Sequence, residues 1–403
     1  MRRFKSYSAI KTMLLILVAT YLALAGLSFA IFNLPWVILK QLPEAKRDIL
    51  ISSGVISPTV HPLYRDWLFG FVSTPNIPRS INYTMDTSTV YGNVMQTQLE
   101  EGPSCDYLGW PNTLSPHEAN LLFVGDSFAA GASVSSRFST PSTYARLTGA
   151  KVYNASLGGY GIGQYVRIVD ELTGRLPKDT NFAGHDVVVM IYLGNDFTGD
   201  IFTDILRHKY TENSFLWQME LRPLRFWVDY LLNCFRIEPV SVAPIKQYSP
   251  APMSCRTPGE LPFAWHPGNA AFLIRENFTV CLPFIQQLIS QLKALEARDL
   301  TIKIVLVPTS MQVVAGDIDW SKIPAGSDLA NDIPGIVASI EDIRSVGKDL
   351  FLKAGFEVLD MTDIFRNSPD RCLYYQPTDT HCTALGYEAM AKAIAARWPH
   401  LGR

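Results

Sequence analysis

Beyond residue 119 the chain repeats one pattern: a short, largely apolar run, a turn, then a longer stretch with helical period. The runs are Asn120–Val124, Lys151–Tyr153, Asp186–Tyr192 (DVVVMIY), Thr301–Val307 (TIKIVLV) and Glu357–Leu359. Each is too short for a helix, and its apolar residues are continuous rather than alternating. That combination predicts parallel strands buried on both faces. Helical periods cover Gly163–Leu176, Phe272–Arg298, Asp332–Ala354 and Ala384–Trp398. In the second of these, Leu282, Ile285, Leu288, Leu292 and Leu295 fall on one face. Strands alternating with helices predict an α/β domain, a doubly wound parallel sheet with helices on both faces. Chemistry in such a sheet gathers beyond the carboxyl ends of the strands.

Three stretches break the pattern. Residues 200–270 are rich in proline and aromatics, among them Phe202, Tyr210, Trp217, Phe226, Trp227 and Trp265, and read as an insertion. A helical excursion with its own small core, a lid, a sugar-stacking platform and a membrane-facing patch all fit it. Residues 40–119 lack a strong period and read as a linker with irregular strands. At the front, no charge occurs between Lys11 and Lys40, and Met13–Phe32 reads MLLILVATYLALAGLSFAIF. About 20 apolar residues in a helix cross a bilayer. Arg2, Arg3, Lys5 and Lys11 precede the run without an acid, which predicts an N-terminus inside and the remainder exported. A cleaved signal peptide competes, with Ser28-Phe29-Ala30 as the small-x-small site. The apolar character continues past Ala30 through Ile31, Phe32, Leu34, Trp36 and Val37, which favours an uncleaved anchor. The expected organisation is a cytoplasmic tip (1–11), a transmembrane anchor (12–39), a linker region (40–119) and one domain (120–403) with its insertion at 200–270.

Composition narrows the class. With 48% hydrophobic and 18% charged residues the chain is not disordered. Only one charge-free apolar stretch is long enough to span a bilayer, so a polytopic membrane protein is excluded. Lys and Arg number 35 against 37 Asp and Glu, which leaves no basic surplus for nucleic acid. Four of those cations precede the apolar run, so the part beyond it is more acidic than the formal −2 of the whole. The same run supplies much of the mean hydropathy of +0.10. Cys105, Cys234, Cys255, Cys281, Cys372 and Cys382 form an even set, which permits up to three disulfides in an oxidising compartment. Cys234 with Cys255, and Cys372 with Cys382, are candidate local loops. No CxxC pair supports a structural zinc site.

Four patches carry chemistry. Gly125-Asp126-Ser127 follows the first strand and exposes a hydroxyl at its carboxyl end. Asn154-Ala155-Ser156-Leu157-Gly158-Gly159 follows the second, with glycines that let a backbone N–H face a ligand. Gly194-Asn195-Asp196 follows the third and offers a side-chain amide; Asp379-Thr380-His381 precedes the last helix. Together these are parts for acyl transfer. A serine hydroxyl needs a base, which His381 supplies near neutral pH. A carboxylate must hold the imidazole tautomer, and Asp379 is the candidate. The N–H groups of Ser127 and Gly159 and the amide of Asn195 would form an oxyanion hole. Asp126 reads as a structural carboxylate bonding nearby backbone. Each patch alone is weak; their order, each at a strand end or before the last helix, makes chance improbable.

That order resembles the SGNH (GDSL) hydrolase superfamily. Gly125-Asp126-Ser127 is similar to its first block, with Ser127 as nucleophile. Asn154 to Gly159 is similar to its second, with Gly159 at the oxyanion position. Gly194-Asn195-Asp196 matches the third, with Asn195 as the other oxyanion donor, and Asp379 and His381 resemble the last. The resemblance covers about Asn120 to Trp398. It implies a flavodoxin-like sheet of order 2-1-3-4-5, esterase, lipase, deacetylase or O-acyltransferase activity, and no metal or organic cofactor. In the last block the acid commonly stands three residues before the histidine, where this chain has Thr378. A similar Asp-x-His spacing occurs in the exported alginate O-acetyltransferase-like branch, which acts on polysaccharide. Pro308-Thr309 and Gln312 resemble a Pro-Thr-x-x-Gln stretch of membrane-anchored members.

The expected function is thus a membrane-anchored serine esterase or deacylase facing the periplasm or exterior, single-pass in a bacterial cytoplasmic membrane. An acylated envelope carbohydrate or small ester is its expected substrate. O-acyltransfer to a polysaccharide by the same residues, and a non-catalytic glycan-binding module, remain alternatives. Tyr160 beside Gly159 either shapes the acyl pocket or simply packs. His61, His117, His185, His208, His266 and His400 have no motif around them and read as surface or packing residues. Asn154-Ala155-Ser156 fits a glycosylation sequon, but its place at a strand end predicts burial.

Overall fold

The computed structural model describes residues 12–23 except 14, 106–175 except 107, 181–197, 275–376 except 324 and 381–403. It also describes short strands at 60–61, 72–73, 82–85, 95–98, 251–256 and 262–265. The chain divides into two compact units, Met1–Thr74 with Ile205–Val242, and Pro75–Asp204 with Ala243–Arg403. In the first unit, residues 12–23 apart from 14 are helical and expose Met13, Leu15, Ile16, Leu17, Val18 and Leu22. Among the described residues no helix is long and apolar enough to cross a membrane. Residues 1–11 and the part of the apolar run beyond 23 lie outside the described residues.

The second unit is built on five parallel strands: β1 (Leu121–Val124), β2 (Val152–Asn154), β3 (Asp186–Tyr192), β4 (Thr301–Val307) and β5 (Glu357–Asp360). Their order is β2-β1-β3-β4-β5, the doubly wound 2-1-3-4-5 arrangement. All of β1 and the last six residues of β3 are buried, which is why both read as unbroken apolar runs. The helices are α1 (Ser127–Ala130), α2 (Thr140–Thr148), α3 (Ile162–Asp170), α4 (Arg275–Leu295), α5 (Ser310–Val314), α6 (Asp328–Lys353), α7 (Met361–Arg366) and α8 (Ala384–Arg397).

Strand periodicity sorts the core into two faces. Leu121, Phe123, Val188, Met190, Val305 and Val307 join Tyr144 of α2 and Met390 and Ile394 of α8 in one cluster. Leu122, Val187, Val189, Ile191 and Ile304 are buried on the opposite face. There α3 lies against β1 and α4 against α3. α3, α4, α6 and α8 stand where the helical periods placed them, with shifted ends.

The short helices α1, α2, α5 and α7 lack a readable apolar period and were not expected. Local signals mark all four: Asp126 caps α1 and Asp360 caps α7. Ser139 caps α2, with Pro141 in its first turn and Gly149 at its C-cap. Thr309 and Gln312 form a capping box on α5: Gln312 N donates to Thr309 Oγ1 at 3.2 Å, and Thr309 N donates to Gln312 Oε1 at 2.9 Å. The Pro-Thr-x-x-Gln stretch is therefore a helix start after β4.

Residues 106–119 are built into this unit beside β2. Asp106 accepts from Tyr153 Oη at 2.6 Å, and Trp110 is fully buried, edge-on to Tyr153. Within the 200–270 insertion, Ala251–Arg256 pairs antiparallel with Pro262–Trp265; 198–250 lies outside the described residues.

One expectation is overturned. Cys372 is in a disulfide, but Cys382 remains a buried thiol, so the two do not form a local loop. Cys372 sits on the short turn Arg371–Leu373, its Sγ 3.8 Å from an Asp317 carboxylate oxygen. Both cysteines are buried in the same core cluster, yet Cys382 is left as a thiol. Cys281 on α4 is also a thiol, and burial pushes its pKa up to about 11. Two thiols among six cysteines rule out three disulfides.

Candidate active site

β1 runs into Gly125, Asp126 and Ser127. A Cβ at Gly125 would stand 2.6 Å from Ala129 Cβ and 3.1 Å from Met190 O, so the tight turn requires glycine. Asp126 then caps α1, its Oδ1 accepting from Phe128 N at 2.9 Å. This makes Ser127 the first helical residue, half-buried at the carboxyl edge of the sheet. Its Oγ lies 2.8 Å from His381 Nε2 and 3.3 Å from Asp126 Oδ2. Burial pushes Asp126 up to about 6, against the opposing pull of the Phe128 N–H and the His381 charge.

His381 reaches this point from the far end of the chain. Tyr375 and Cys382 form an antiparallel bridge, flanked by Gln376 N donating to His381 O and Thr383 N donating to Tyr374 O, both at 2.9 Å. Tyr375 Oη donates to Pro308 O at 2.7 Å, tying the strap to the end of β4. Thr383 caps α8 and donates to Leu373 O at 2.6 Å. The imidazole faces Phe128, centroids 5.1 Å apart, and Phe128 stacks on Tyr192 at 3.9 Å. Asp379 lies outside the described residues, as do 377–380.

The loop after β2 runs alongside the nucleophile turn. Ala155 N donates to Phe123 O at 2.8 Å and Leu157 N to Gly125 O at 3.3 Å. A Cβ at Gly158 would stand 3.5 Å from Ser127 Cβ, so Gly158-Gly159 is adjacent to the serine. Gly159 has φ +83°, a left-handed conformation that favours glycine. Asn154 is buried, with Nδ2 donating to Ala129 O at 3.3 Å, which removes the sequon. After β3, Asp196 Oδ2 accepts from Tyr192 N at 2.7 Å and Tyr165 Oη at 2.8 Å. That buried carboxylate closes the turn carrying Gly194 and the half-buried Asn195.

Ser127, His381 and Gly158-Gly159 thus meet at one edge of the sheet, and Asn195 lies at the end of the neighbouring β3. The neutral His381 side chain can accept the Ser127 proton directly, the geometry of nucleophile activation. Tyr160 is buried, its O accepting from Tyr165 Oη, and it packs. Phe128, Tyr375 and Asn112 were not expected here. Asn112 brackets Asn154, accepting from its N at 2.8 Å and donating to its O at 3.0 Å. Only Phe128 carried a sequence signal, its place next to the serine. Among the described residues no cluster of His, Cys, Asp and Glu is arranged to hold a metal ion.

Comparison with known proteins gives the family. Residues 123–389 match the GDSL-like lipase/acylhydrolase family. No curated protein is matched. Similar solved structures include an extracellular lipase from Streptomyces rimosus, at 14% identity over 69% of this chain and 99% of that one, TM-score 0.35. A lipase/acylhydrolase from Enterococcus faecalis is similar at 12% identity over 69% and 95% of the two chains, TM-score 0.34. The family match spans most of the chain, from the last residues of β1 to the middle of α8. The chain belongs to the GDSL-like lipase/acylhydrolase family and is an SGNH-type enzyme acting on ester bonds.

Proposed function

We propose that this enzyme is an exported, membrane-anchored serine esterase that removes O-acyl groups, with acylated envelope carbohydrate as its substrate class. The observation that carries the catalytic part is the 2.8 Å approach of His381 Nε2 to Ser127 Oγ. Ser127 Oγ attacks the ester carbonyl while its proton passes to His381 Nε2. The N–H groups of Ser127 and Gly159 and the amide of Asn195 receive the oxyanion. The intermediate collapses, His381 returns the proton to the leaving alcohol, and water repeats the sequence on the acyl-enzyme. Asp379, two residues before His381, orients the imidazole. The charge-free run Met13–Phe32, with cations only on its N-terminal side, and the exposed apolar side chains of residues 12–23 support the anchor. The carbohydrate assignment rests on the Asp379-Thr380-His381 spacing and its resemblance to exported polysaccharide-modifying members.

That same spacing favours a second reading, acyl transfer to a sugar hydroxyl in place of water. One experiment separates them. The full chain in detergent is incubated with an activated acetyl ester, with and without an oligosaccharide acceptor. Free acetate as the main product in both arms supports the esterase. Acetylated sugar forming faster than acetate replaces it with the transferase. Turnover unchanged in Ser127→Ala rejects both.

A further inference from the structure

Asp126 is assigned by its sequence position to a structural role, as the cap of α1. Its geometry exceeds that role. One oxygen is spent on the cap, accepting from Phe128 N at 2.9 Å. The other, Oδ2, is 3.3 Å from the nucleophile's Oγ, and that Oγ is itself 2.8 Å from His381 Nε2. Asp126 is only 1% exposed, so its charge acts on its neighbours through protein rather than water. A buried carboxylate is costly to keep, and a neutral Asn or Ser caps a helix about as well. Capping alone therefore does not explain a carboxylate here.

We infer that Asp126 is a positioning residue for the reaction: its charge, beside Ser127 Oγ and behind it His381 Nε2, steadies the His381 imidazolium formed when Ser127 attacks. The inference rests on the Ser127–His381 mechanism proposed above. In the resting enzyme the Ser127 hydroxyl has two acceptors, Asp126 Oδ2 and His381 Nε2. When its proton moves to Nε2, a cation appears within reach of the Asp126 charge. His381 is the titratable partner that acts on Asp126 electrostatically, and the Phe128 N–H and Ser127 hydroxyl are its hydrogen-bond donors. A carboxylate on the Nε2 side adds to whatever Asp379 supplies from the chain beside His381.

The test is kcat/KM against pH for an activated acetyl ester, using the full chain and the variants Asp126→Asn and Asp126→Ser. Both replacements keep a cap oxygen and remove the charge, so either serves if the other fails to fold. The expected result is a fall in kcat of about tenfold or more, below the roughly 10²–10³-fold of a lost donor that touches the oxyanion itself. KM stays near the wild-type value, and the acid limb moves toward lower pH as the cation loses its stabiliser. Within-twofold kcat and an unmoved acid limb in a folded variant would reduce Asp126 to a cap and overturn the inference. Ser127-dependent turnover in the wild type separates that outcome from failure of the serine mechanism. Absence of Ser127-dependent turnover overturns both.

Discussion

Ser127 and His381 meet at one point but are held by opposite kinds of structure. The serine stands directly after a buried central strand, on a turn whose shape is set by Gly125 and the Asp126 cap. The histidine stands on a strap fastened by the two backbone hydrogen bonds of one antiparallel bridge, the Thr383 bond to Leu373 O and the Tyr375 tie to Pro308. A tight turn on a buried strand places the nucleophile; tertiary hydrogen bonds, on a strap whose Tyr374, Tyr375 and Cys382 are buried in the core, place the base. Changes to the backbone turn under the serine, as at Gly125, should therefore disturb folding and activity together, whereas loss of a single strap hydrogen bond should disengage catalysis while the fold persists.

The largest effect belongs to the meeting point itself. Ser127→Ala and His381→Ala should each lower kcat by about 10⁴-fold or more, as loss of a nucleophile or its base does in serine hydrolases. Thermal unfolding should barely move, because both side chains sit at the edge of the core. Similar kcat values for His381→Ala and wild type would break the comparison at once.

Next comes the acidity of Asp126. Burial raises its pKa to about 6 in the fold, above the 3.8 of a free side chain. A raised carboxylate contributes stability that is full below about 3.8 and is lost as pH rises through about 6. Asp126→Asn lacks that loss. Relative to wild type it should gain up to about 3 kcal/mol between pH 4 and pH 7, seen as a Tm difference that widens over that interval. A difference that narrows would contradict the burial argument. Greater stability at lower kcat is the expected signature of a charge kept for function.

Gly125→Ala tests the serine side. The added methyl overlaps Ala129 and crowds Met190 O, which should cost about 1–3 kcal/mol, with activity falling alongside Tm. Tyr375→Phe tests the histidine side. It keeps the ring and removes the bond to Pro308 O, for about 1 kcal/mol of stability. Its kcat should fall well beyond what that stability loss explains, and equal proportional losses in the two variants would erase the distinction.

The same contrast explains what the sequence disclosed. β1, β3 and β4 were legible because strands buried on both faces leave unbroken apolar runs. The three blocks at the ends of β1, β2 and β3 were legible because each is a short local turn with its chemistry in adjacent residues. The strap was not legible: nothing local in Tyr374–Gln376 announces a bridge to Cys382 or a bond to Pro308. Cys372 and Cys382 misled for that reason, since nearness in sequence does not decide which cysteines pair: both are buried, and only Cys372 is in a disulfide. α2 escaped because its buried residues, Thr140, Pro141, Thr143 and Tyr144, form no long apolar stripe. The second bond of Asp126 was invisible because its cap accounts for the residue.

The most direct test of the central claim is covalent. The full chain is treated with a fluorophosphonate probe, digested, and the modified peptide read by mass spectrometry. One adduct on Ser127 in the wild type, lost in His381→Ala, is the result this account predicts. An adduct on another residue, or Ser127 labelling that proceeds equally well without His381, would contradict it.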